Sequence, residues 1–147
     1  MLNDSRISIY RYVEDILTSV TENVYLMNEP QELTQSDTED GFIVIRVGDL
    51  MDASEFDGDA YGYARVFVEC YVPPITRGRL DVEKYTQFEE DINAAIKLAT
   101  ESDNDGTYWI QPDSFISADM GEDSNANNAY YMFVKSFVVM IDEEQSE

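Results

Sequence analysis

The stretch from Tyr61 to Thr100 constrains this fold most. In YGYARVFVECYV (Tyr61 to Val72) the even positions Ala64, Val66, Val68, Cys70 and Val72 are small and apolar, while Arg65 and Glu69 share the odd side with Tyr63, Phe67 and Tyr71. A period of two is that of a strand with one face on a core. Pro73 and Pro74 end it, because proline has no N–H to give a ladder. Asp81 then occupies an N-cap position, and Val82, Tyr85, Phe88, Ile92, Ala95, Ile96 and Ala99 follow at spacings of three and four, as in an amphipathic helix. A strand whose small-residue face receives the following helix is the expected centre of the fold. None of these residues points to catalysis.

At 147 residues the chain is expected to form a single domain, 1–147, with a substantial core. Its charge is extreme: 31 Asp plus Glu against nine Lys plus Arg, a net of −22. Gripping nucleic acid through phosphates needs clustered Lys and Arg, which are missing here. Anionic membranes are disfavoured for the same reason, so neither is expected as a partner. The simplest reading of such acidity is a solubilising surface. With no His, and Cys70 the sole Cys, His-based general-base catalysis, Ser-His and Cys-His pairs, zinc sites of Cys/His type and a disulfide framework are excluded. A reducing compartment fits better than secretion. The N-terminus MLNDSRISIY has neither a basic segment nor an apolar one of signal-peptide type, and no apolar run has the length of a membrane helix.

A first helix is expected from a cap at Asp4 or Ser5 to about Asn23, with Ile9, Val13, Ile16, Leu17, Val20 and Val24 inward. Tyr10 and Tyr12 widen its apolar side, which suits either core packing or a subunit contact. Three acidic loops are expected at about 28–41, 49–60 and 119–128, the second carrying Asp52, Glu55, Asp57 and Asp59. Phe42 to Leu50 reads as a strand with Ile43, Ile45 and Val47 on one side. In ITRGRL (Ile75 to Leu80), Arg77 and Arg79 make a locally positive spot, a turn or a contact for an acidic neighbour. YWIQPDSFIS reads as an edge strand interrupted at Pro112, and Tyr130 to Ile141 as a strand inside the sheet or covered by a neighbouring subunit, Tyr130 and Phe133 being its candidate contacts. The order helix, strand, strand, helix, strand, strand gives an α+β domain: a mostly antiparallel sheet of four to five strands with two helices packed on it.

No catalytic, cofactor-binding or metal-binding residue is assigned. Glu101, Asp103, Asp105 and Gly106 imitate the start of a calcium loop, but Pro112 stands where a bidentate Glu should close the shell, so a polar turn is the better reading. The other carboxylates lie in the expected loops, whereas metal or glycosidase chemistry needs carboxylates fixed on rigid elements. A Gly-rich phosphate loop is missing too.

The order of elements from about Asp4 to Asp142 resembles that of the tail-terminator and tail-completion proteins of tailed bacteriophages. The Tyr-, Asn- and Asp-rich composition is similar to that of proteins of crAss-like phages. The resemblance is one of topology and size and transfers no functional residue. It implies a virion protein made in the host cytoplasm, without a cofactor, that forms a ring of six or twelve copies in the head-to-tail connector or tail beside other connector or tail proteins. In that picture the Asp49 to Asp59 and Asp119 to Asn128 loops face the lumen or the next ring, and DNA passes a negative channel wall without specific binding. Two other readings stand beside it: an acidic DNA-mimic inhibitor of a DNA-binding enzyme, and a small monomeric adaptor.

Overall fold

A computed structural model describes residues 2–27, 34–52, 61–73, 81–101, 108–123 and 130–142. In chain order the elements are α1 (Leu2–Leu17), β1 (Val24–Leu26), α2 (Gln35–Asp40), β2 (Phe42–Val47), β3 (Met51–Asp52), β4 (Tyr61–Val72), α3 (Val82–Glu101), β5 (Tyr108–Ile110), β6 (Ile116–Asp123) and β7 (Tyr130–Asp142). Seven strands form one sheet in the order β1-β2-β4-β7-β5, with β3 also on β4 and β6 also on β7. The architecture is α+β, with two long helices on the sheet.

The sheet is mixed and has seven strands, which corrects the expectation of a mostly antiparallel one with four to five strands by adding a parallel pair and further short strands. β1 runs parallel to β2, and every other pair is antiparallel. The source of the parallel pair is local. α1 stops at Leu17 instead of reaching Asn23, and the N–H groups of Val20 and Thr21 both donate to the Leu17 carbonyl. The chain then turns along β2, where the Ile43 N–H donates to the Asn23 carbonyl. Asp4 and Ser5 lie within α1 and do not cap it.

Two of the additional strands continue others along a shared edge. Between the pairs Val47–Val66 and Met51–Tyr63, residues 48–50 stand against Ala64 and Arg65 alone, so β3 prolongs β2 across a bulge. Between Ile110–Val139 and Ile116–Ser136, residues 111–115 loop out, with Pro112 and with Asp113 at φ 68°, so β5 and β6 share one edge of β7. The edge strand interrupted at Pro112 is therefore found as expected.

β4 and β7 form the centre of the sheet, paired along their whole length from Tyr61–Asp142 to Val72–Tyr131. Ala64, Val66, Val68, Cys70 and Val72 are all fully buried, as their alternation requires. Ile43, Ile45 and Val47 of β2 and Phe133, Phe137 and Val139 of β7 extend that face, and Ile9, Val13 and Leu17 of α1 with Phe88, Ile92 and Ile96 of α3 cover it. The Lys84 N–H donates to Asp81 Oδ1 at 3.1 Å, so Asp81 caps α3. Val82 faces outward, contrary to its place in the helical stripe. Small side chains on β4 let both helices approach the sheet closely, and burial pushes the Cys70 thiol well above its ordinary pKa.

Gly41 holds the junction of α2, β2 and β4. Its φ is +88°, and an added Cβ would lie 2.4 Å from the Tyr71 carbonyl oxygen. Only glycine meets both requirements without strain.

Candidate interaction surface

Alternation places a second set of side chains on the sheet face away from α1 and α3. Strand register arranges them in rows across the sheet. One row holds Met51, Tyr63, Met140 and Trp109; the next holds Arg65 and Val138. A third holds Arg46, Phe67, Ser136 and Ile116, and a fourth Tyr25, Val44, Glu69 and Val134. The last is Phe42, Tyr71 and Met132.

The final row closes on itself. Phe42 stacks on Tyr71 with ring centroids 4.6 Å apart, Tyr25 meets Phe42 edge-on, and Phe42, Val44 and Tyr71 are buried. Elsewhere the face is open: Phe67 is 38% exposed, Met51 51% and Ile116 56%, and Tyr63, Trp109, Val134, Val138 and Met140 are half-buried. No described helix lies over it.

Three charges interrupt these five rows. The Arg46 Nε donates to Glu69 Oε2 at 2.8 Å, and the same guanidinium reaches the Met27 carbonyl. The Tyr71 hydroxyl donates to the other Glu69 oxygen at 3.1 Å. Arg65 differs. Among the described residues it meets neutral oxygens alone, Ser136 Oγ at 2.9 Å and the Ser114 carbonyl at 3.5 Å.

The helix-covered face contains one charged pair that periodicity did not reveal. Lys135 lies on that face of β7 and is 2% exposed, its Nζ donating to Glu89 Oε2 of α3 at 2.6 Å and to Ser117 Oγ of β6 at 2.5 Å. The ammonium also sits 5.3 Å from the centroid of the Phe133 ring and 5.9 Å from that of Phe115. The odd–even count of β7 could have put Lys135 inside, since it shares parity with Phe133 and Phe137. A cleft of about 670 Å³ opens between Val20 and the start of α3, lined in part by Asp40, Asp81, Glu83 and Asp91. Asp81 is already engaged as a cap there, and the Lys84 Nζ donates to the Glu39 carbonyl. Among the described residues no group of three or more His, Cys, Asp or Glu could hold a metal, and no helix is long and apolar enough to cross a membrane.

The residues expected at subunit contacts fall into different environments. Tyr10 and Phe133 are core residues and not surface contacts, because Tyr10 reaches under β2 to accept the Val47 N–H at 3.1 Å and Phe133 packs edge-on to Tyr85 and Phe88. Tyr12 is half-buried and stacks on Tyr108 with centroids 5.6 Å apart. β7 needs no neighbour to complete its pairing, since β4 and the β5–β6 edge take its two sides. The expected loops are shorter than read: α2 lies in the first, β3 in the second, where Asp52 pairs with Gly62, and β6 runs into the third as far as Asp123. Tyr130 pairs with Asp123 through the backbone. Arg77, Arg79, Glu55, Asp57 and Asp59, and the Asp103–Gly106 turn, lie outside the described residues. No protein-family model matches the chain, and no curated protein matches it in sequence.

Proposed function

We propose that this chain is a structural assembly subunit, a ring-forming protein of the head-to-tail connector or tail of a tailed bacteriophage. One observation carries the assembly part of this reading. On the sheet face away from α1 and α3, a chain with net charge −22 keeps five successive rows, from Met51–Trp109 to Phe42–Met132, in which Glu69 is the one carboxylate among the described residues, and furnishes them with large apolar side chains. Such a patch on an otherwise highly charged molecule suits a protein–protein contact. The phage assignment adds the resemblance in element order and the acidity, which lets DNA pass without being held. The proposed role needs no catalytic group, and its site of action is the virion.

The test is the mass of the purified protein in solution at low and high concentration in moderate salt. Salt is required because 22 net negative charges per chain oppose self-association until screened. A closed oligomer of six or twelve copies supports the reading. A strict monomer under all conditions refutes self-assembly and favours the inhibitor or adaptor.

A further inference from the structure

We infer that the three rows around Arg65 receive one amphipathic helix of a partner protein, whose apolar stripe carries a carboxylate that pairs with Arg65. The inference rests on the assembly role proposed above, in that it takes this face for a protein contact, and it names the chemistry of the neighbour. Arg46 and Lys135 of the sheet each hold a carboxylate, Glu69 at 2.8 Å and Glu89 at 2.6 Å. Arg65 is half-buried as well, yet both of its hydrogen bonds leave from Nη1 and end on neutral oxygens. Among the described residues its Nε and Nη2 donors find no acceptor, although a guanidinium has five N–H groups arranged to grip a carboxylate.

Apolar side chains surround that guanidinium. Tyr63 and Phe67 lie two positions either side of it on the same face of β4, about 7 Å away at ordinary strand rise. Val138 is its partner on β7, and Met51, Met140 and Ile116 stand in the two flanking rows. A cation with spare donors inside such a patch fits an anion that arrives with apolar cover.

The backbone chemistry of the face selects a helix. The face offers side chains and no backbone groups, so an extended segment would bury N–H and C=O groups without partners, whereas a helix closes its own. Three rows at about 7 Å and four lanes at about 4.8 Å make a patch about 20 Å by about 19 Å, or about 400 Å². That is half of what a globular partner ordinarily covers, about 800 Å², but it accommodates a helix of about 13 residues at 1.5 Å rise. The rows beyond stay outside the contact, because Phe42 and Tyr71 stack on each other there and both Glu69 oxygens are taken by Arg46 and Tyr71. α1 and α3 cover the opposite face of the same sheet in this manner.

The net charge does not bar an acidic stripe. Glu69 lies four residues from Arg65 and is neutralised by Arg46, and the separation of about 13 Å exceeds the screening length of about 8 Å at physiological ionic strength. A single helix brings few charges to the face, whereas a second copy of the chain brings −22.

A yeast-displayed library of helix-forming peptides about 16 residues long, randomised along one stripe, is sorted against the purified chain, and the selected peptides are titrated by fluorescence anisotropy. The expected binders carry one Asp or Glu within an apolar stripe. Arg65→Gln keeps a donor for Ser136 Oγ and should raise their Kd about tenfold; converting the peptide's acid to its amide should do the same, with little further loss when both changes are combined. Phe67→Asp removes the ring, gives Arg65 a carboxylate within the chain, and should raise Kd at least about thirtyfold. Leu98→Asp on α3, 69% exposed, should leave it unchanged. Circular dichroism checks that each variant is folded. Sorting that yields no binder, binders without an acid, or binders that either Arg65→Gln or Phe67→Asp leaves unaffected overturns the inference, and a chain that still self-associates then keeps its assembly role. Helix binding at this face by a chain that is monomeric throughout keeps the inference and overturns the ring.

Discussion

The Lys135–Glu89 pair should respond unequally to loss of its two members. The ammonium is 2% exposed, whereas the Glu89 side chain is 29% exposed on α3. Glu89→Ala leaves a buried cation with Ser117 Oγ and two aromatic rings for company. An uncompensated buried charge of this kind costs about 3–5 kcal/mol. Lys135→Met keeps most of the volume, removes the desolvated charge, and leaves a carboxylate that turns to water. Its cost should be about 1 kcal/mol or less, since an apolar side chain of similar size often replaces a buried ion neutrally. The double variant should lie near Lys135→Met, giving a coupling energy of about 2 kcal/mol or more. Urea unfolding monitored by circular dichroism measures each, the midpoint shifting at constant slope. A Lys135→Met variant that is less stable than Glu89→Ala would refute the reasoning, because the exposed partner would then be the one unable to lose its mate.

Three further outcomes follow from the geometry. Gly41→Ala should destabilise by about 2–5 kcal/mol in the same assay, combining a left-handed backbone with a forced contact on the Tyr71 carbonyl. Asp81→Ala removes the acceptor for the Lys84 N–H and should cost about 0.5–2 kcal/mol, while Asp81→Asn should retain most of the cap. The folded-state pKa of Cys70 is raised by burial, so its neutral thiol contributes stability that is lost as pH rises past the unfolded-chain value of about 8.5. Cys70→Ala should accordingly reduce the fall in stability between about pH 8 and pH 10, and an equal fall in both proteins would contradict the assignment.

The local rules were sufficient where a segment's own pattern decided its structure. Alternation in β4 identified its buried side residue by residue, and Asp81 with the spacing from Tyr85 to Ile96 placed α3 and its cap. Pro112 marked an interrupted edge strand because a residue without an N–H is kept out of a central ladder, and here it falls where the chain loops out between β5 and β6. These outcomes depend on side-chain periodicity and backbone donors, which a sequence displays directly.

Tertiary structure decided what depends on a distant partner. Val24–Leu26 is too short to announce a strand and becomes one because β2 lies alongside it; read alone, it extended the pattern of α1. Acidic 119–123 pairs because β7 offers a long ladder, and backbone hydrogen bonds there outweigh the composition of a loop. Tyr10 reads equally as core or contact until the Val47 N–H supplies a buried partner for its hydroxyl. Composition and spacing showed 31 carboxylates and little chemistry, but they could not gather Arg46, Arg65, Phe67 and Ile116 onto one face. That juxtaposition is set by register between strands far apart in sequence, and one residue of slip would turn each of those side chains to the other side.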